Sequence, residues 1–79
     1  MTFPSRANPI DVSIGKRIAE IRRERNETPE SIAQVLNLEP ETYLAGEEGQ
    51  FRFLAAHLFN LAQHFDVEIS EFFKNVSLK

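Results

Sequence analysis

The chain has no cysteine, which excludes disulfides and thiolate metal sites and makes a reducing cytoplasm the expected setting. No apolar run approaches the ~20 residues of a membrane span, so no membrane partner is expected. The opening Met1-Thr-Phe-Pro-Ser-Arg lacks the apolar block and cleavage pattern of an export signal. There are only three glycines, with no Gly-rich phosphate loop, no nucleophile elbow and no carboxylate pair. With 79 residues there is one small core and little volume for a pocket, and the expectation is a single non-enzymatic domain without a cofactor. His57 and His64 stand seven apart, roughly 10 Å along one helix face. A zinc helix needs a spacing of four, so no metal is expected. The most informative absence concerns positive charge. Between Arg25 and Arg52 there is no Lys or Arg across 26 residues, while six are Glu: Glu27, Glu30, Glu39, Glu41, Glu47 and Glu48.

What is present is helical periodicity. Residues 1–12 hold Pro4 and Pro9 with no apolar repeat and read as an extended arm, and 76–79 as a tail; the folded domain is expected over 13–75. Ile14, Ile18 and Ile21 make one apolar stripe on a first helix from about Ser13 to Arg25, opposite a face that includes Lys16, Arg17, Arg22 and Arg23. Thr28 and Pro29 are cap and first position of a second helix, whose Ile32, Val35 and Leu36 are expected to face inward. Asn37 is placed at the left-handed turn that ends it, with Leu38 buried in the turn. A third helix starts near Pro40 with Tyr43 inward and a weak end at Gly46 and Gly49. The fourth, about Phe53 to Phe65, is the most apolar; a turn at Asp66 leads to a short fifth, Ser70 to Asn75. The fold class is therefore all-α, a compact five-helix domain.

Helix, the turn Leu36-Asn37-Leu38, and helix again is the helix-turn-helix order. From Asn8 to Phe73 the chain resembles the Cro/C1-type (XRE) DNA-binding domain. The likeness is carried by Asn8-Pro9-Ile10-Asp11-Val12, Ile14-Gly15-Lys16-Arg17-Ile18, Ala33, Leu36, Leu38, Glu47, Gly49, Arg52, Leu58, Leu61-Ala62, Val67, Ser70 and Phe72-Phe73. The departures fall on the surface that would read DNA. Pro29 stands where the family commonly has a phosphate-contacting Gln, and Glu48 where a basic residue often follows the family's Glu. The outward positions of the third helix hold Glu39, Pro40, Glu41, Thr42, Leu44 and Ala45.

Duplex affinity comes largely from cations that meet about 6–10 phosphates, and base reading from Arg, Asn or Gln pairs worth ~1–3 kcal/mol each. The unit has no cation, and its Gln34, Asn37 and Gln50 lie outside the third helix's reading face. Apolar residues replace polar ones at Leu44, Ala45, Phe51, Leu54 and Ala56, and a second apolar line on helix 4 runs through Phe51, Ala55 and Phe59. Phe59 is assigned to the core. An exposed apolar patch bordered by acids points to a protein interface. The expected contact is Leu44, Phe51 and Leu54, with Glu47 and Glu48 as rim charges and Tyr43 packing behind. The chain is similar to small helix-turn-helix antiactivators that restrain quorum-sensing (LuxR-type) activators and conjugative-transfer genes. That resemblance implies a transcriptional activator as partner, with DNA binding weak or absent. The alternative is a DNA-binding repressor that uses Lys16, Arg17, Thr42, Gln50 and Arg52, with helices 4 and 5 as the surface for a homodimer.

Overall fold

A computed structural model describes residues 8–74. It holds four α-helices, α1 Pro9–Glu24, α2 Pro29–Val35, α3 Pro40–Glu47 and α4 Ala55–Phe65, and a closing 3-10 helix Ile69–Phe73. The expected five-helix count is thus corrected to four α-helices and a 3-10 turn. There is no strand among the described residues, and no described helix is long and apolar enough to cross a membrane. Residues 1–7, Asn75 and the expected tail 76–79 lie outside the described residues.

Helix starts follow one local rule. Three of the four helices begin at a proline, whose missing N–H costs nothing in the first turn. Thr28 Oγ1 accepts from the Ser31 amide (3.1 Å), as the sequence predicts. Asn8 Oδ1 does the same work for α1, accepting from the Ile10 amide at 2.8 Å. The arm expected to reach residue 12 is therefore corrected, because Asn8-Pro9 is the same start signal as Thr28-Pro29. Helix ends follow a second rule. Asn26, Asn37 and Asp66 sit at φ 58°, 57° and 57°, each just beyond a helix, and Gly49 at φ 82° follows α3.

The core is built from Ile14, Ile18 and Ile21 of α1, Ile32, Ala33 and Leu36 of α2, Tyr43 of α3, Leu58, Leu61, Ala62 and Phe65 of α4, and Phe53 and Phe72. Leu38 is half-buried against it. Several side chains differ from their expected places. Val35 is exposed, because the α2 positions facing the core are Ile32, Ala33 and Leu36. Phe53 precedes α4, and its ring fills the space over Gly46. Phe59 is 56 % exposed and outside the core, since Leu58, Leu61, Ala62 and Phe65 already fill the buried side of α4.

α1 and α3 touch backbone to backbone. A Cβ on Gly15 would stand 2.2 Å from the Gly46 carbonyl oxygen and 2.6 Å from that of Glu47. Only glycine allows this approach, and it fixes which side of α3 is turned outward.

Candidate functional site

α3 has an inward and an outward side. Tyr43 and Gly46 are buried and the Glu47 side chain points the same way. Pro40, Glu41, Leu44 and Glu48 are all exposed. Glu41, Leu44 and Glu48 lie at i, i+3 and i+7, so they form one stripe. Ala45, expected outward, is buried at the interface instead, and Thr42 is half-buried.

The inward side carries an ion pair. Arg22 reaches from α1 to Glu47, with Nε donating to Oε2 at 2.7 Å and Nη2 to Oε1 at 3.2 Å. Its Nη1 donates to the Glu27 carbonyl oxygen at 3.0 Å. The Tyr43 hydroxyl donates to the same carboxylate through a short hydrogen bond. The pair is closed from water, at 10 % and 7 % side-chain exposure. The hydrogen bond to Glu47 raises the Arg22 pKa against the opposing effect of burial. Burial first, then the Glu47 carboxylate, pushes the Tyr43 phenol well above its ordinary range, so it stays a neutral donor. Two expectations are corrected here. Glu47 is no rim charge, and Arg22 is not on the open face of helix 1.

The remaining acids are arranged differently. Glu27 is held between α2 and α4: His64 Nε2 lies 2.9 Å from its oxygens, and the Ser31 hydroxyl is 3.2 Å away. Glu30, Glu39, Glu41 and Glu48 are exposed, and none forms an ion pair with a described cation. Most cations are engaged elsewhere. Arg17 donates to Glu20 (3.2 Å) and to Glu71 (3.0 Å), tying α1 to the 3-10 helix. The hydrogen bond from Arg17, with Lys74 adding to it, holds the Glu71 carboxyl below its usual range. Arg25 Nη2 donates to the Phe65 carbonyl oxygen at 2.8 Å, capping the end of α4. Arg52 pairs with Asp11 at 3.1 Å but remains largely exposed. Lys16 and Gln50 are exposed.

The apolar candidates separate into two groups. Leu44 is 38 % exposed on the α3 stripe. Leu54 is 63 % exposed at the start of α4, where its amide donates to His57 Nδ1 at 3.0 Å. Phe51 is half-buried: it packs against the core, edge-on to Phe53 with ring centres 5.8 Å apart. Phe59, which the sequence reading placed in the core, joins Leu54 as an exposed residue. α4 carries no Lys, Arg, Asp or Glu, and its exposed Ala55, Ala56, Phe59, Asn60 and Gln63 make an uncharged outer face.

No family model matches the chain and no curated protein matches it. Solved structures do. The restriction-modification controller protein C.AhdI from Aeromonas hydrophila is 27 % identical, over 80 % of this chain and 96 % of that one, at a TM-score of 0.73. The fold is the helix-turn-helix fold. The clp gene regulator ClgR from Corynebacterium glutamicum gives a TM-score of 0.74 at 14 % identity, over 89 % of this chain and 96 % of that one. The SOS-response transcriptional repressor LexA from Eubacterium rectale gives 0.79 at 15 % identity, over 92 % and 78 %. At such identities ClgR and LexA speak for the fold alone. The three are named as a controller protein, a gene regulator and a transcriptional repressor, and the likeness to C.AhdI, at 27 %, supports a regulatory role for this fold.

Sequence reasoning missed the Arg22–Glu47–Tyr43 cluster, although two signals bore on it. Arg22 falls four residues after Ile18, on the edge of the buried stripe, and Glu47 is four after Tyr43. Glu47 also matches the family's own Glu, whereas Glu48 is the departure.

Proposed function

We propose that the chain regulates transcription by gripping another protein, as an antiactivator that holds a transcriptional activator of the quorum-sensing or conjugative-transfer kind away from its target. It would act in the cytoplasm, where that activator works. The observation that carries this reading is the outward stripe of α3. A DNA-reading helix would present donors there, yet the exposed groups are Pro40, Glu41, Leu44 and Glu48. The α1 arginine nearest this helix, Arg22, is turned inward onto Glu47 and neutralises none of the outward carboxylates. Phosphates brought to this face would meet Glu39, Glu41 and Glu48 and release few counterions. With Glu47 internal, Glu41 takes its place beside Glu48 as rim charge. Leu44 and Leu54 are the apolar contacts, Phe51 backs them, and Tyr43 holds α3 from behind.

A second reading, a DNA-binding repressor, is favoured by the neighbours themselves, which are named as gene regulators and a transcriptional repressor. It would have to rely on Lys16, Gln50 and Arg52, with Thr42 half-buried and Arg17 engaged by Glu20 and Glu71. Self-association through Leu54 and Phe59 is a further use of the apolar surface.

Affinity capture from the native cell tests the protein-binding reading. The wild-type chain is expected to retain a transcription factor that Leu44→Asp and Leu54→Asp fail to retain. Both sites are exposed, so helicity and melting should match wild type within about 0.5 kcal/mol. Equal capture by the variants would refute the contact assignment. Variants that unfold would show that these side chains belong to the core.

A further inference from the structure

We propose that the outward face of α3 docks on a cationic amphipathic helix of the partner, the kind of surface with which a transcription factor holds DNA. The chain and DNA would then compete for one side of the activator. This rests on the protein-binding reading above and specifies the chemistry of what is captured.

The stripe has a defined pattern. Glu41 and Glu48 stand seven residues apart, about 10 Å along the helix, and Leu44 lies between them. All three are exposed. A helix laid across the stripe with an apolar residue over Leu44 and cations on both sides would satisfy every group at once. A neutral or acidic helix would strip water from two carboxylates and return no opposite charge. Glu39 and Glu30 extend the negative field, and neither forms an ion pair with a described cation; Arg22 and Arg52 are directed at Glu47 and Asp11 instead. The uncharged outer face of α4 provides no such steering. Lys and Arg on DNA-contacting helices supply the complementary pattern, because they are placed to meet phosphates. A cationic surface covered by Glu41 and Glu48 cannot neutralise phosphates at the same time, so competition with DNA follows.

The full chain, labelled with ¹⁵N, is titrated with two synthetic helical peptides that share a leucine face. One carries Lys and Arg on its polar side, the other Glu. The cationic peptide should shift the amides of α3 around Glu41, Leu44 and Glu48, at least about fivefold more weakly at ~300 mM than at ~50 mM salt. The acidic peptide should shift none. Glu41→Lys with Glu48→Lys should lower the affinity at least about tenfold, and Leu44→Asn should lower it with both carboxylates intact. These positions are exposed, so the variants should stay folded, which dichroism checks. Shifts centred on Phe59 and Gln63 with α3 unmoved, shifts spread over Glu20, Glu24 and Glu68, equal response to both peptides, or no response would each overturn the proposal. A parallel titration with duplex DNA separates the two levels. Binding of DNA by the chain defeats the protein-binding reading itself, whereas silence towards both DNA and peptide defeats only the chemistry assigned to the partner.

Discussion

Arg22→Ala is expected to destabilise the domain by about 3–5 kcal/mol, because it leaves the Glu47 carboxylate buried without its cation. A domain of this size has only about 5–10 kcal/mol to lose, so half or more of its stability goes at the lower end of that range. Glu47→Ala should cost a similar amount, since Arg22 is then uncompensated and Tyr43 loses its acceptor. Removing both charges together, Arg22→Met with Glu47→Leu, should cost much less than the sum of the single changes, because no isolated ion remains. Urea midpoints for the four proteins measure this coupling. Single-variant losses below about 1 kcal/mol would mean that water reaches the pair and that something else anchors α3. The anchoring matters for function, because Glu47 sets the rotation of α3 and so decides that Glu41, Leu44 and Glu48 are the residues presented.

Gly15→Ala should lower the melting temperature by roughly 10 °C or more, although alanine favours a helix interior by about 1 kcal/mol. The added methyl meets backbone: the Gly46 oxygen at 2.2 Å and the Glu47 oxygen at 2.6 Å. Backbone cannot rotate aside, so α1 and α3 must move apart and disturb the Arg22–Glu47 bond between them. Overpacking of this kind costs about 1–3 kcal/mol beyond the forfeited propensity gain. Gly46→Ala is the informative comparison. Its Cβ would stand 2.3 Å from the Phe53 ring, and an aromatic side chain at the surface of the core can shift. The Gly15 variant should therefore be the less stable by thermal melting. The reverse order would show that the two helices have room to separate.

How much of this was legible in the sequence depends on the range of the interaction. Local signals were sufficient for the caps at Thr28 and the turns at Asn37 and Asp66, because each is decided by its own side chain and two or three neighbours. The same rule holds at Asn8-Pro9, so α1 begins four residues before the Ser13 that the apolar stripe suggests. The period of three to four residues placed Ile14, Ile18, Ile21, Tyr43 and Leu61, but periodicity alone could not say which edge of each stripe meets a neighbour. Val35 and Phe59 therefore lie outside and Arg22 inside, against the pattern of the stripe alone. Phe53 closes the core from a loop, where no repeat marks it. The candidate site was legible as composition, a unit with six carboxylates and no cation. Its division into one buried acid, one acid held by His64 and four open ones required the packing of α1 and α4 against α2 and α3.

The outward face of α3 is expected to repel a polyanion. Titration of labelled duplex DNA at ~50 mM salt tests it most directly, since counterion release makes low salt the most favourable condition for any DNA-binding surface. The account predicts no shift at micromolar protein. Binding that tightens steeply as salt is removed, and that weakens on Arg52→Ala or Lys16→Ala, would contradict it and make the chain a repressor.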